Sequence, residues 1–186
     1  MKKLVLLVPL LFATAVFGQE LLVNGDFEQE LTTGWTLIEE GSGTHEFNRD
    51  VGYHPDPDYE AYVYQYDNPG GSRLSQTVAV SAPMLTVSFW AEFEEGAGSS
   101  SCWPAACFVV AYLDAGGVKL GETRYYYGTY VNWVSDDTLH LIPVTNPDWT
   151  EYTLDVMLEL TQNLPLINPA DVAQVEVAAW SATTGG

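Results

Sequence analysis

Period-two alternation of apolar side chains, broken at short intervals by turn residues, constrains this chain more than any other feature. In Leu85-Thr86-Val87-Ser88-Phe89-Trp90-Ala91 the residues Leu85, Val87, Phe89 and Ala91 share one side, and Trp90 falls on the other. In Val109–Leu113, Val109, Ala111 and Leu113 form one face and Tyr112 the opposite one. Tyr152, Leu154, Val156, Leu158 and Leu160 alternate in the same way, which turns them to the core and leaves Asp155 and Glu159 in water. The clearest turns are Asn68-Pro69-Gly70-Gly71, Asp114-Ala115-Gly116-Gly117 and Asn146-Pro147-Asp148. The pattern predicts strands near 21–23, 35–39, 44–48, 60–66, 73–80, 84–93, 107–113, 119–127, 138–144, 150–160 and 172–180. It predicts no helix within the folded part. Strand number and spacing point to an all-β, two-sheet antiparallel sandwich of the jelly-roll kind.

Residues 1–18 read as a secretory signal peptide. Lys2 and Lys3 form a positive start, Leu4 to Phe12 an apolar run too short to span a bilayer, and cleavage is predicted before Gln19. The expected organisation is that leader followed by one sandwich domain over 19–186, secreted to the extracellular space. From Gln19 onward, Arg49, Arg73, Lys119 and Arg124 face 25 acidic residues, in a chain of formal net charge −19. Phosphate backbones need a basic footprint, so nucleic-acid partners are excluded, and no membrane insertion is expected. Such acidity suits an extracellular protein that uses divalent cations, or one whose surface is simply well solvated. Ser181 to Gly186 reads as a turn with no strand after it, which predicts a C-terminally truncated domain with other domains in a longer chain.

Cys102 and Cys107 are the only cysteines. In a secreted chain the C-x4-C spacing predicts a local disulfide that shapes the loop carrying Trp103 and Pro104. A zinc site would need further ligands, and no histidine lies nearby.

The stretch Leu21–Trp35 reads LLVNGDFEQELTTGW. Asn24-Gly25 is a tight-turn dipeptide, and Phe27 and Trp35 are large apolar anchors beside carboxylates. Asn24-Gly25-Asp26-Phe27-Glu28 followed by Gly34-Trp35 resembles the start of the carbohydrate-binding-module jelly rolls of the galactose-binding-like superfamily. Ser72–Val78, Leu85–Trp90, Asp148–Tyr152 and Val175–Trp180 resemble later strands of the same family. The resemblance implies a structural calcium where the N-terminal segment, a mid-chain loop and the final strand meet. Calcium takes roughly six to eight oxygen ligands. By resemblance Glu28 supplies a carboxylate and Asp26 a main-chain carbonyl, with Asp67 and Asn68 as further candidates. The aspartate that the family's last strand usually brings has no counterpart here, so the site is incomplete or another carboxylate substitutes.

Sugars are held by aromatic faces that cover their C–H patches, flanked by amides and carboxylates. Tyr125, Tyr126, Tyr127, Tyr130 and Trp133 form the densest aromatic group. Strand alternation turns Tyr125 and Tyr127 one way and Tyr126 the other, so part of that group belongs to the core. Trp103 on the cysteine loop, with Tyr53 and Tyr59 in an acidic loop, completes the candidate rim. No nucleophile elbow or zinc-helix motif occurs, and His45, His54 and His140 are scattered singly, so no catalytic residue is assigned. The expectation is a secreted, non-catalytic module that binds a polysaccharide or glycan, its fold stabilised by calcium. The alternative is a structural or adhesive extracellular domain of a surface assembly with no sugar site.

Overall fold

The computed structural model describes residues 20–51, 58–99 and 101–184. The leader expected over 1–18 and the candidate Tyr53 lie outside them. Strands β1 (Thr36–Gly41), β2 (Thr44–Asp50), β3 (Glu60–Tyr66), β4 (Gly70–Ala79) and β5 (Thr86–Ala91) occupy the first half. They are followed by β6 (Pro104–Leu113), β7 (Lys119–Tyr127), β8 (Leu139–Pro143), β9 (Thr150–Asp155) and β10 (Gln174–Thr183). One layer is a six-stranded sheet in the order β1-β4-β10-β6-β7-β8. Two antiparallel pairs, β2–β3 and β5–β9, pack on its inner face. The molecule is an all-β sandwich, with one parallel contact among the described residues, between β7 and β8.

The alternation read from sequence supplies the inner core. Leu74, Val110, Tyr112, Val175 and Val177 project from the large sheet onto Val87, Leu154 and Val156, and the Phe89 ring stacks on Phe108 at 3.6 Å. β3 is fastened to the same face by polar bonds: Gln65 N–H donates to Ser181 Oγ (3.2 Å), and Ser72 Oγ donates to the Tyr64 carbonyl (2.9 Å). β6 is central, so Val109 and Ala111 are as buried as Tyr112 on the opposite face.

Four expectations are corrected. First, Leu21–Val23 is a turn region, not a strand. Its anchor is the buried Asn24, which takes a left-handed φ of 54°. The Asn24 side chain accepts from Gln29 N–H (2.8 Å) and donates to the Gln29 carbonyl (3.0 Å), while its own carbonyl accepts from Trp35 Nε1 (2.9 Å). Gln76 of β4 brackets the preceding residue, accepting from Val23 N–H (2.7 Å) and donating to its carbonyl (2.9 Å). Gly34 closes this turn at φ +84°, where a Cβ would stand 2.8 Å from that of Val23.

Second, the strand expected over 150–160 ends at Asp155, and a helix α1 (Val156–Asn163) follows. Asp155 caps it by accepting from Leu158 N–H (2.9 Å). Helical spacing buries Val156, Leu160 and then Leu164, exposes Leu158, and turns Glu159 inward. There Glu159 accepts from Thr123 Oγ1 (2.7 Å) and Asn163 Nδ2 (2.7 Å) and bonds His140 Nδ1 (2.6 Å). The Tyr112 hydroxyl extends the chain of bonds, 3.0 Å from Thr123 Oγ1. A buried carboxylate is retained because each of these groups satisfies it.

Third, Ser181, Ala182 and Thr183 do not form a turn; they are the end of β10. Fourth, Cys102 and Cys107 are free thiols. Cys107 lies within β6, paired with Trp180 and Tyr126, whereas Cys102 lies before that strand and forms a β-bridge with Ser99. Closeness in sequence does not by itself make a disulfide.

Two outcomes follow. Asp155→Ala lowers stability by about 1 kcal/mol in urea unfolding, since the Leu158 N–H loses its cap; an unchanged midpoint would place the helix start elsewhere. In thiol titration with an aromatic disulfide at pH 8, the half-buried Cys102 reacts in the native protein. Cys107, whose thiol burial pushes up to about 12, reacts only on unfolding. Silence of both thiols that reductant reverses would instead show a bridge.

Candidate functional site

The register of the central strands decides what gathers on the sheet's outer face. Arg73, Trp180, Cys107 and Tyr126 form one row across β4, β10, β6 and β7. Ser75, Ala178, Val109 and Arg124 form the next row, and Thr77, Glu176, Ala111 and Glu122 the third. Small residues therefore make a buried floor (Ala105, Cys107, Val109, Ala111, Ala178), and long side chains on both flanks lean over it.

The parallel pairing of β7 and β8 completes the face. Parallel neighbours cannot be joined by a tight hairpin, so residues 128–138 travel back along the sheet and lay Val131 and Trp133 over the floor. Glu95 holds this crossover, accepting from Thr129 N–H and Thr129 Oγ1, each at 2.6 Å.

Trp133 stacks parallel to Trp180 (5.6 Å between centroids, 5° between planes) and meets Trp103 edge-on at 5.5 Å. Tyr126 lies 5.9 Å from Trp133. The Arg124 guanidinium carbon sits 4.8 Å from the Trp133 centroid and 5.0 Å from that of Trp180, a cation–π arrangement with both rings. Trp180 Nε1 is buried without a hydrogen-bond partner among the described residues. It lies against Gly71, where a Cβ would stand 2.6 Å from that nitrogen, so this position must stay glycine for the indole to lie flat.

The rim is charged, with two carboxylates serving three cations. Arg124 Nε donates to Glu122 Oε1 (2.7 Å), and Lys119 Nζ donates to Glu122 Oε2 (3.1 Å). Arg73 pairs with Glu176. Burial alone would raise the Glu122 carboxyl, but Arg124 and Lys119 outweigh it and hold the group below its ordinary range.

Of the candidates named from sequence, Trp103, Tyr126 and Trp133 meet here. Tyr125 instead points into the inner core, edge-on to Phe89 at 5.3 Å, and burial raises its hydroxyl pKa. Tyr127 packs half-buried beside that inner cluster, and Tyr130 is exposed on the crossover. Tyr59 lies elsewhere, beneath Arg49. Sequence reading missed Trp180 and Arg124, because only cross-strand register brings them to Trp133. It also missed a row of Tyr62, Tyr64 and Tyr66 on the outward side of β3, with centroids 5.9 and 5.3 Å apart, although their spacing of two was visible.

Of the oxygens expected to hold calcium, those of Asp67 stand apart from those of Glu28. Asp67 sits at the β3–β4 turn and accepts from Thr44 Oγ1 (3.0 Å), with Asn68 beside it. Glu28 accepts at Oε1 from Tyr59 N–H (3.3 Å), next to Arg49. Thr44 and Arg49 are five residues apart on β2, about 16 Å. Asp26 Oδ1 accepts from Glu28 N–H within its own turn (3.4 Å). Among the described residues, no three of His, Cys, Asp and Glu gather around a common point suited to a metal ion.

By sequence, no family model and no curated protein matches the chain. Solved structures do. A structure of carbohydrate-binding modules of the β-sandwich superfamily, noted for promiscuous specificity, superposes with a TM-score of 0.52 at 14% identity, over 92% of this chain and 58% of that one. A family 61 carbohydrate-binding module in complex with β-1,4-galactotriose gives 0.48 at 16% identity, over 89% and 88%. The enzymatically active domain of tailspike protein 4 from bacteriophage CBA120 gives 0.48 at 18% identity, over 87% of this chain but 19% of that one. On the first of these likenesses, the chain has the β-sandwich fold of the carbohydrate-binding modules.

Proposed function

We propose that the protein is a secreted, non-catalytic binder of a neutral glycan, seated on the outer face of the six-stranded sheet. The observation that carries this reading is the group of Trp103, Trp133, Trp180 and Tyr126, held half-buried over a floor of small residues with Arg124 against the Trp133 and Trp180 rings. Indole faces cover the C–H patch of a pyranose, and the guanidinium and carboxylates at the edge bond its hydroxyls. The signal-peptide pattern of residues 1–18 supports export.

Neutrality follows from the charge of the whole chain. Arg73 is matched by Glu176, and Arg124 and Lys119 share Glu122. A chain of uronates or sulfates would have to approach a protein of net charge −19. Burial of Tyr125 removes one ring from the expected rim and favours a purely structural role for that residue.

On a polysaccharide array, the protein is expected to retain neutral galactans or glucans and to ignore polygalacturonate and alginate. Trp133→Ala, on a loop, leaves the fold intact by circular dichroism. It weakens retention about tenfold or more, because one covered ring face is worth on the order of 1.5 kcal/mol. A folded protein that retains no glycan would transfer the reading to a structural domain of a surface assembly.

The rim also sets an acid response. Glu122 has a folded pKa below its unfolded value of about 4.3, so its stabilisation is complete above that pH and is lost as pH falls through the folded value. Glu122→Gln should melt lower than the wild type at pH 7, with the gap closing as pH falls below about 4.3. A gap that persists in acid would deny Glu122 this role.

A further inference from the structure

The N-terminal loop carries its own cation where the resemblance calls for calcium. Arg49 Nη2 donates to the Glu28 carbonyl (2.8 Å), and Arg49 Nε donates to the Phe27 carbonyl. The Arg49 guanidinium carbon lies 3.3 Å from the centroid of the Tyr59 ring, and Tyr59 N–H in turn donates to Glu28 Oε1 (3.3 Å). Phe27 adopts a left-handed φ of 54°, in the turn that brings consecutive carbonyls toward the guanidinium. Arg49 itself is fixed on β2, opposite Ala61 of β3.

We propose that the Arg49 guanidinium replaces a structural calcium ion in this chain, clamping the 24–30 loop to the β2–β3 hairpin so that the fold is metal-independent. Carbonyl oxygens are the ligands that calcium takes from a loop, and two consecutive ones are already engaged by a positive group. A second cation placed on them would meet that charge at hydrogen-bonding distance. The guanidinium fork bonds neighbouring acceptors in one plane, and its open face lies on an aromatic ring. An ammonium presents neither feature.

The clamp makes predictions unlike those of a metal site. The melting temperature of the wild-type protein is unchanged by excess chelator and by millimolar Ca²⁺, and calorimetric titration with Ca²⁺ shows no saturable heat. A melting temperature that falls with chelator and recovers with Ca²⁺ would overturn the proposal, as would saturable Ca²⁺ binding. Arg49→Met lowers the melting temperature by roughly 5 °C, and Arg49→Lys recovers less than half of that loss. In Arg49→Met, hydrogen exchange quickens at the amides of residues 24–30 and Tyr59, while the β4, β6 and β10 amides stay protected. Exchange that rises evenly over the molecule would refute a local clamp. If Arg49→Met does not fold, the wild-type chelator and Ca²⁺ measurements still decide between guanidinium and ion.

Discussion

The whole molecule depends on β10 lying between β4 and β6, paired along all ten residues on each edge. A strand with both ladders complete has only its two faces left to contribute. Its alternate residues then belong to different environments, and each environment must be closed to water separately. Toward the inside, Val175 and Val177 join an aliphatic and aromatic core with α1 and β5–β9. Toward the outside, Ala178 and Ala182 leave a shallow floor over which Trp180 lies. One strand thus sets both the core and the floor over which the candidate face is assembled.

The outer cover is costly in chain length, and the topology explains why it exists. A hairpin from β7 would have produced an antiparallel neighbour and left the floor bare. The parallel β8 forces residues 128–138 across the face, bringing Trp133 to rest against Trp180 and Arg124. The tightness of Gly128 belongs to the same device, since a Cβ there would stand 2.6 Å from Val131 Cγ2. The cover shields Cys107 and Val109 while its rings stay half-buried, which a face built only for core packing does not require.

Much of this was legible in the sequence wherever period two coincided with burial on one face. β3 and β7 begin and end where alternation placed them, and Trp90 stands 57% exposed on the side opposite Val87, as its parity requires. Parity also separated Tyr126 from Tyr125 correctly. It misled over 152–160, because residues two apart and residues four apart agree at Val156 and Leu160. Asp155 as a cap and Leu164 one turn further on were the features that favoured a helix. The candidate face was legible only in part. Trp103, Tyr126 and Trp133 announce themselves by chemistry. Trp180 and Arg124, 56 residues apart by number, meet through a register that no local pattern encodes. The cysteine pair failed for the converse reason, being close by number and placed in different pairings.

The stretch from Leu21 to Trp35 shows how a short resemblance is to be weighed. Each of its residues that the motif shares has a task in the fold. Asn24 gathers the loop by its amide, Phe27 packs on Trp35 at 5.2 Å, and Gly34 permits the turn that brings that indole back to the Asn24 carbonyl. Each of these tasks is carried by groups of the chain itself. A metal site adds a separate demand, several oxygens left free and aimed at one point, and that demand is met or refused by residues distant in sequence. Here Arg49, on another strand, takes the neighbouring Phe27 and Glu28 carbonyls, and Asp67 stands a hairpin's length away. The motif therefore specifies a backbone shape, and the charge that occupies it is chosen elsewhere in the chain.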